Sequence, residues 1–573
     1  MDIKNKSYFH RGGNIPLLGK TIPQHFLNVV KQFPDRDAVV SLPQGRRLNY
    51  QQFSDQTDQL ARGLLAMDFK AGDRIGVWST NNIEWLLLQM ATARIGVILV
   101  NINPANRIKE LKYALERSEV QGLFVIPEFR SSNYAGILME LLPELSQEHA
   151  EGTHHNLSTK TLTKLRCIVL YDPAKPLETE RLAPGFTLWA DVINAGKDIS
   201  AQALDTITDA LEIDDPINIQ YTSGTTGFPK PVVLTHHNIL NNAYFAALAM
   251  NFTEQDRLVV PLPFYHCFGM VLANLLCFSV GACNVIGSEH FDPLAVLQAV
   301  DQEKCTAIHG VPTMFIAELG HPRFKEFNLN SLRTGIMAGA PCPPELMTRV
   351  IEEMHCKDIL IGYGETEASP LTHLTLADDS FERRIHTVGK NLPHQEVKII
   401  NTDTGKTVDL GEVGEICFRG YHIMKEYYQS PEVTAKAIDQ NGWLFSGDLG
   451  TMDADGYVKV TGRLKEMIIR GGENIYPAEI EDVIFNHPKV QQVAIFGIPD
   501  DFYGEEIMGW VLPNADETIT EEEIRSYCKE ALAHFKIPKY LWIVDSFPMT
   551  VTGKLQKFKM REMALKKMKG NSA

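Results

Sequence analysis

Nine cysteines among 573 residues run from Cys167 to Cys528 with no CxxC pair and no alternation with histidine at ligand spacing. That scarcity excludes a zinc-ribbon or disulfide-framework protein and predicts buried thiols in a reducing compartment. His154-His155 and His236-His237 lack carboxylate or cysteine partners at ligand spacing, so neither pair reads as a metal site. The first residues, MDIKNK, lack the apolar run of a signal peptide. The strongest candidate for a membrane span, 270–287, is interrupted by Asn274, Ser279 and Asn284 and reads as a buried helix running into a strand. No period of 20–50 residues repeats, which argues against a solenoid. Positive charge is also short, with 55 Lys+Arg against 71 Asp+Glu and a net charge of −16, so a broad nucleic-acid surface is excluded. The expectation is a cytoplasmic protein with no transmembrane segment and no nucleic-acid partner.

Composition is that of a globular chain, 44% hydrophobic and 22% charged. At roughly 150 residues per domain the length suggests about four compact units, or fewer large ones. The charge is uneven. The stretch 554–569 holds six lysines and one arginine against one glutamate. Helical spacing over 50–67 and 82–93 alternates with strand-like runs at 74–78 and 96–101, and the pattern returns at 167–171, 296–310 and 346–364. Apolar runs alternating with helices predict α/β architecture, with parallel sheets covered on both faces. From about residue 397 short alternating strands (397–401, 414–420, 457–462) predict a small barrel or meander. Beyond a polar boundary at 463–466 a helix (477–485), two strands (490–498, 508–513), a helix (520–533) and a strand (540–545) form an α+β unit of about 100 residues.

The most informative stretch is 221–230, YTSGTTGFPK, directly after the strand-like 217–220. Six of its ten residues are Ser, Thr or Gly. Such a loop can turn backbone N–H groups and hydroxyls toward one point, a phosphate cradle to which Lys230 adds a point charge. The Walker A pattern is met neither here nor at Gly553-Lys554-Leu555. Taken alone, the loop equally suits a flexible surface turn.

YTSGTTGFPK resembles the signature of the acyl-adenylate-forming (AMP-binding) superfamily, which comprises acyl-CoA synthetases, firefly-type luciferases and peptide-synthetase adenylation domains. The other family blocks follow in order: PLPFYHCFGM (261–270), GAPCPPELM (339–347), GYGETE (362–367), GEICFRG (414–420), WLFSGDLG (443–450), GRLKEMIIRGGENIYPAEIE (462–481) and PMTVTGK (548–554). The resemblance runs from about Asn49 to Lys554 and is most similar to medium- and long-chain fatty acyl-CoA synthetases. It implies a large N-terminal domain, 1–464, of two stacked α/β lobes (about 1–215 and 216–390) and a small β-barrel (about 391–464). A small mobile α+β C-terminal domain, 465–573, would hinge at Lys465.

The resemblance also implies roles. Thr222, Ser223, Gly224, Thr225, Thr226, Gly227 and Lys230 would hold the phosphates of ATP; Gly339, Ala340 and Pro341 would pass beside the adenine and the acyl carbonyl. Tyr363 would stack on adenine, Thr366 contact phosphate and Glu367 ligate Mg²⁺, since a hard cation bridging phosphates wants one or two carboxylates. Asp448 would accept from the ribose hydroxyls and Arg463 would be the second nucleotide contact, although the local context of Asp448 alone reads as a turn or cap. His266 would lie beside the acyl group, and Gly471 and Gly472 beside the pantetheine of CoA. Lys554 would approach the substrate carboxylate and the α-phosphate. Lys566, Lys567 and Lys569 read as a solvated tail, whereas Lys557, Lys559 and Arg561 are expected to draw anionic ligands toward the cleft. Two departures stand out: Pro231, where the family has Gly or Ala, removes a donor and biases Lys230 to an extended conformation, and Glu426 replaces a common Gly.

The implied reaction is ATP-dependent fatty acyl-CoA synthesis through an acyl-adenylate, with ATP, Mg²⁺, CoA and a medium- to long-chain carboxylate. Pocket walls are expected at 264–270, 309–313 and 336–340. Alternatives are a fatty acyl-AMP ligase loading a carrier protein, an aryl or short-chain CoA ligase, a luciferase-like oxygenase, and a non-catalytic nucleotide or acyl binder disabled by Pro231. A homodimer is among the assemblies allowed.

Overall fold

The first long helix, Tyr50–Ala66, starts at a capping box. Asn49 accepts from the Gln52 N–H, and the Gln52 side chain accepts from the Asn49 N–H. Its buried residues, among them Tyr50, Phe53, Thr57, Leu60 and Leu64, recur at the three-and-four spacing that points one stripe at a core. Ile83–Arg94 is buried at every position but Glu84, in keeping with apolar residues on all its faces. The chain is described here from a computed structural model, which places residues 5–146, 157–175, 177, 185–222, 229–471, 473–500, 502–515, 517–549 and 555–570.

Two compact units emerge, one of Met1–Phe9, Val397–Phe418 and Phe445–Ala573, the other of His10–Glu396 and Arg419–Leu444. The second unit contains two large sheets. One runs Thr187–Leu188, Cys167–Leu170, Gly122–Val125, Arg74–Trp78, Ile98–Ile102, Pro216–Thr222, Lys230–Thr235 and Glu426–Tyr427 in spatial order. It is parallel as far as Pro216–Thr222 and antiparallel beyond. The other runs Lys390–Asn391, Leu371–Leu374, Asp358–Gly364, Thr334–Ala338, Ala307–Gly310, Arg257–Val259, Cys283–Ile286, Asp37–Ser41 and Arg46–Asn49, with a parallel centre and antiparallel edges. The sheets exchange strands: 37–49 joins the second, while 216–235 and 426–427 join the first. Each lobe is therefore assembled from separated stretches of sequence. Helix His236–Ala249, which follows Lys230–Thr235, ties the sheets together through Asn242, whose Nδ2 donates to the Leu371 carbonyl at 2.7 Å.

The stretch 270–287 is a buried π-helical turn (Met270–Leu275), a short α-helix (Leu276–Val280) and a strand (Cys283–Ile286), as its interrupted apolarity predicts. Among the described residues no helix is long and apolar enough to cross a membrane. No disulfide joins the nine cysteines; eight are buried and Cys342 is half-buried.

In the first unit a five-stranded sheet takes Tyr8–Arg11, Gln395–Ile400, Gly414–Gly420, Leu444–Met452 and Val458–Arg463 in that order. A second sheet orders Glu473–Ile475, Ile468–Arg470, Gly504–Pro513 and Val490–Asp500, with Tyr540–Ile543 pairing parallel to Gly504–Pro513. The period-2 pattern of 490–498 divides its side chains between two cores. Val493 and Ile495 pack with Ile480, Ile484, Ile524 and Cys528 of the helices Pro477–Phe485 and Glu521–Ala531. Ala494, Phe496 and Ile498 pack on the opposite face with Met560 and Ala564.

Those last two residues correct the reading of the basic C-terminal stretch. Lys557–Gly570 is a helix, with Met560 and Ala564 fully buried and Lys567 Nζ 4.4 Å from the centroid of the Trp542 ring. The apolar residues at 560, 564 and 568 carry the helical period that the surrounding lysines mask. Lys557 does not face open water: its ammonium lies 2.8 Å from Glu481 and 3.2 Å from Glu466. Burial pulls its pKa down, and the two carboxylates reverse this to a net rise. Arg561 pairs with Glu505 at 3.4 Å. Two of the three cations expected to attract ligands are thus neutralised locally.

Two measurements check this packing. Ala564→Asp places an unpaired charge against Phe496 and Trp510 and is expected to cost at least about 3 kcal/mol in the unfolding of this unit, read by denaturant titration. A thiol reagent is expected to count nine thiols in denaturant and at most one reacting rapidly in the native protein.

Candidate active site

Three of the segments expected to touch nucleotide in the larger unit sit at carboxyl ends of strands in the two sheets, where open α/β sheets bind ligands. Thr222 ends Pro216–Thr222 in one sheet; Gly339 follows Thr334–Ala338 and Tyr363 closes Asp358–Gly364 in the other. Gly339, Ala340 and Pro341 form an exposed loop, and Gly339 takes a left-handed φ of +87° that favours glycine. A Cβ on Gly364 would lie 1.9 Å from the Pro370 carbonyl oxygen, so the glycine after Tyr363 lets the return strand close.

Tyr363 is half-buried and backed from behind. Thr372 Oγ1 donates to its carbonyl at 3.0 Å, and the His373 ring lies 6.0 Å from its own. His373 is fully buried, and burial lowers its pKa to about 3, which keeps the imidazole neutral. Thr366 opens a short 3₁₀ turn, and its hydroxyl lies 3.4 Å from the buried Cys267 thiol. His266, expected beside the acyl group, also caps the turn Cys267–Gly269: its Nδ1 accepts from the Phe268 N–H at 3.2 Å. The preceding carbonyl, of Tyr265, accepts from Asn101 Nδ2 at 3.1 Å, which fixes this segment to strand Ile98–Ile102. Of the expected pocket walls, His309 stacks on Phe268 at 5.7 Å, contacts the Leu272 carbonyl through Nε2, and accepts from the Ile336 N–H through Nδ1. Burial lowers its pKa to about 4. Both nitrogens are engaged, which fixes the neutral ring in place.

Glu367 is the centre of the arrangement. Its Oε1 accepts from Tyr427 Oη at 2.7 Å and from Thr222 Oγ1 at 3.5 Å; among the described residues Oε2 has no hydrogen-bond partner. Lys230 Nζ lies 4.7 Å from the centroid of the same Tyr427 ring. Burial, followed by the Glu367 charge, raises the Tyr427 pKa, so the phenol keeps its proton and donates it. Lys230 begins strand Lys230–Thr235 in the extended conformation expected before Pro231. Pro231 lies opposite Tyr221, and its carbonyl accepts from the Tyr428 N–H at 2.8 Å. Among the described residues no three His, Cys, Asp or Glu side chains gather to enclose a metal. A Mg²⁺ ion that takes its remaining ligands from phosphates and water needs one or two carboxylate oxygens, and Glu367 Oε2, without a hydrogen-bond partner among the described residues, fits that need. The sequence marks Glu426 as a departure and assigns Tyr427 no role; only strand pairing and side-chain contact reveal it.

In the smaller unit Asp448 lies on strand Leu444–Met452 rather than in the turn its local sequence suggests. It is 7% exposed, pairs in register with Arg463, and accepts from Arg463 Nε at 3.1 Å. Lys465 is exposed in the turn that joins Val458–Arg463 to Ile468–Arg470. Gly471 connects Ile468–Arg470 to Glu473–Ile475, and its N–H donates to the Tyr503 carbonyl at 2.8 Å. Arg470 secures this turn through Glu506 at 2.5 Å and through the Tyr503 ring. Ser223, Gly224, Thr225, Thr226, Gly227, Gly472 and Lys554 lie outside the described residues.

Comparison with known proteins identifies the family. The family model of the AMP-binding enzyme matches residues 26–428, and that of the AMP-binding enzyme C-terminal domain matches 479–554. The chain is 46% identical to YngI of Bacillus subtilis (strain 168) over 549 residues, covering 96% of this chain and 98% of that one. It is 40% identical to the mitochondrial medium-chain acyl-CoA ligase ACSF2 of Danio rerio over 564 residues, covering 98% and 91%. Among solved structures, ATP-bound MatB from Rhodopseudomonas palustris superimposes with a TM-score of 0.79 at 26% identity, covering 94% of this chain and 98% of that one. With both family models matched in order, the first over residues 26–428 and the second over 479–554, the chain belongs to the AMP-binding enzyme family.

Proposed function

We propose that the protein is an ATP-dependent fatty acyl-CoA synthetase acting on medium- to long-chain acids in two half-reactions. A substrate carboxylate oxygen attacks the α-phosphorus of ATP; an O–P bond forms, the bond to the β-phosphate bridge breaks, and pyrophosphate leaves. The CoA sulfur, as thiolate, then attacks the acyl carbonyl carbon, a thioester forms, and AMP departs with the electron pair of the broken C–O bond. Activation turns a poor electrophile into one with a good leaving group, so no protein nucleophile is required.

The observation that carries this reading is the convergence on Glu367, where Tyr427 and Thr222 hold one carboxylate oxygen and Lys230 stands across the Tyr427 ring. Glu367 would hold Mg²⁺, which when bound neutralises phosphate charge. Lys230 and the 222–227 loop bind the phosphates, Thr366 donates a hydroxyl, Tyr363 stacks on adenine, and Gly339, Ala340 and Pro341 flank the base and the acyl carbonyl. Asp448 accepts from the ribose hydroxyls, its carboxylate oriented by Arg463. His266 borders the acyl group. Lys554 supplies the positive charge that lets two anions approach. Residues 465–573 then turn about Lys465, and Gly471 and Gly472 border the pantetheine. An exposed turn between two strands suits Lys465 to that role, because one or two φ/ψ changes there reorient the whole segment beyond it. The fatty-acid assignment is supported by the name of the Danio rerio relative and by the small and apolar residues expected to line the acyl pocket.

In Lys554→Ala, fatty-acid-dependent ATP–pyrophosphate exchange is expected to fall by about 10²-fold or more, while thioester formation from supplied acyl-AMP and CoA stays within a few-fold of wild type. Equal loss of both half-reactions would contradict the assigned role. Across acetate, benzoate, octanoate and palmitate with CoA, kcat/KM is expected to be greatest for octanoate or palmitate, because apolar contact contributes roughly tenfold or more per favourable step in pocket filling. A maximum at acetate or benzoate overturns the fatty-acid reading, and adenylate formation without CoA-dependent turnover points to a carrier-protein acceptor.

A further inference from the structure

One residue outside the expected set stands between the two charges most important to phosphate binding. We propose that Tyr427 is a positioning residue that holds Glu367 and Lys230 apart and aimed, its hydroxyl on the carboxylate and its ring face under the ammonium. This deepens the preceding reading and rests on Glu367 being the Mg²⁺ ligand.

The backbone makes Tyr427 a fixed point. Its N–H donates to Thr434 Oγ1 at 3.0 Å, and it pairs in register with Val232. On either side, the Lys425 N–H donates to Val233 at 2.9 Å and the Tyr428 N–H to Pro231 at 2.8 Å. The Met424 N–H donates to the Glu367 carbonyl at 2.8 Å. Residues 424–428 thus grip both the strand leaving the phosphate loop and the main chain of the metal carboxylate. The Tyr427 side chain, 4% exposed, then engages both functional groups.

The chemistry of each contact fits that task. The phenol occupies Oε1, which leaves the lone pairs of Oε2 for a cation. A charge-assisted hydrogen bond is short and directional, so it fixes the carboxylate plane. The ring holds Lys230 by its quadrupole without consuming its N–H donors, which stay available to phosphate. Lys230 and Glu367 make no ion pair with any described residue, each other included. A direct Lys–Glu pair would have to break before ATP and metal could bind; Tyr427 provides an arrangement of opposite charges that does not.

The two contacts separate by substitution. Tyr427→Phe keeps the ring under Lys230 and removes the hydroxyl; Tyr427→Leu removes both. Calorimetry gives the affinity for ATP with EDTA and with Mn²⁺ as the metal, and the Mg²⁺ concentration that half-activates ATP–pyrophosphate exchange is measured alongside. In Tyr427→Phe, Mn²⁺·ATP affinity is expected to fall about tenfold and the half-activating Mg²⁺ to rise similarly, with metal-free ATP affinity within twofold of wild type. In Tyr427→Leu, metal-free ATP affinity is expected to fall about threefold or more as well. Glu367→Gln serves as the control and is expected to abolish the metal-dependent gain in affinity. If Glu367→Gln abolishes it and Tyr427→Phe matches wild type, the role of Tyr427 is wrong and that of Glu367 stands. If Tyr427→Phe weakens ATP equally with and without metal, Tyr427 is only structural and the proposal fails. If Glu367→Gln keeps the metal-dependent gain, the assignment of Glu367 itself falls, and the Tyr427 proposal with it.

Discussion

The hydrogen bond from Tyr427 to Glu367 ties a short two-residue strand to the carboxylate on which the larger unit's candidate site is centred. In a chain of net charge −16, a carboxylate beside the proposed phosphate loop would by itself repel an anionic ligand. Here that charge is held at one oxygen, which accepts from the Tyr427 and Thr222 hydroxyls, while the other oxygen has no hydrogen-bond partner among the described residues. The roles proposed for Lys230, Thr222, Thr366 and Tyr363 all depend on control of this one anion. Placing the control in a buried tyrosine avoids adding a charge that would itself need a partner.

Such control requires distant stretches of sequence to meet, and the strand exchange between the two sheets brings them together. Lys230–Thr235 and Glu426–Tyr427 pair at one edge of the first sheet, while Glu367 follows a strand of the second. Helix His236–Ala249 joins the sheets through Asn242, and Asn101, in the first sheet, holds the carbonyl that precedes His266. A buried amide that makes its hydrogen bonds specifies one alignment, because any shift would leave it unsatisfied in an apolar interior. The positions of the site residues are therefore set by these buried amides and by the strand ladders together.

Legibility in the sequence tracks the range of each interaction. Helix Pro477–Phe485 and strand Arg74–Trp78 lie where periodicity places them, because capping, alternation and turn chemistry act over a few residues. The blocks that hold Thr222, Tyr363, Thr366 and Glu367 stand out as motifs because they gather particular residue types over a few positions, and the sheets bring their described residues to neighbouring strand ends. Strand order does not stand out: nothing local says that 37–49 joins the sheet containing 358–364, or that 426–427 joins the one containing 230–235. Tyr427 was hidden for the same reason, since a tyrosine in a short strand reads as core until its neighbours are known. The glycines around Asp448 mimic a turn, although its pairing opposite Arg463 makes it part of a strand ladder.

The basic C-terminal stretch illustrates why charge counted along the chain differs from charge presented to solvent. A cation steers a ligand only when its field is not cancelled nearby, and at physiological salt a field from the surface fades over about 8 Å. Lys557 lies against both Glu466 and Glu481, and Arg561 against Glu505, so their formal charges are cancelled by the domain's own acids. What they contribute is attachment: the helix Lys557–Gly570 is pinned by those pairs and by Met560 and Ala564 in the core. Glu466 directly follows Lys465, so the pairing with Lys557 links the residue after the proposed hinge to the far end of the same unit. A turn can reorient a domain only if the segment beyond it moves as one piece, and this ion pair is a physical means of making it do so.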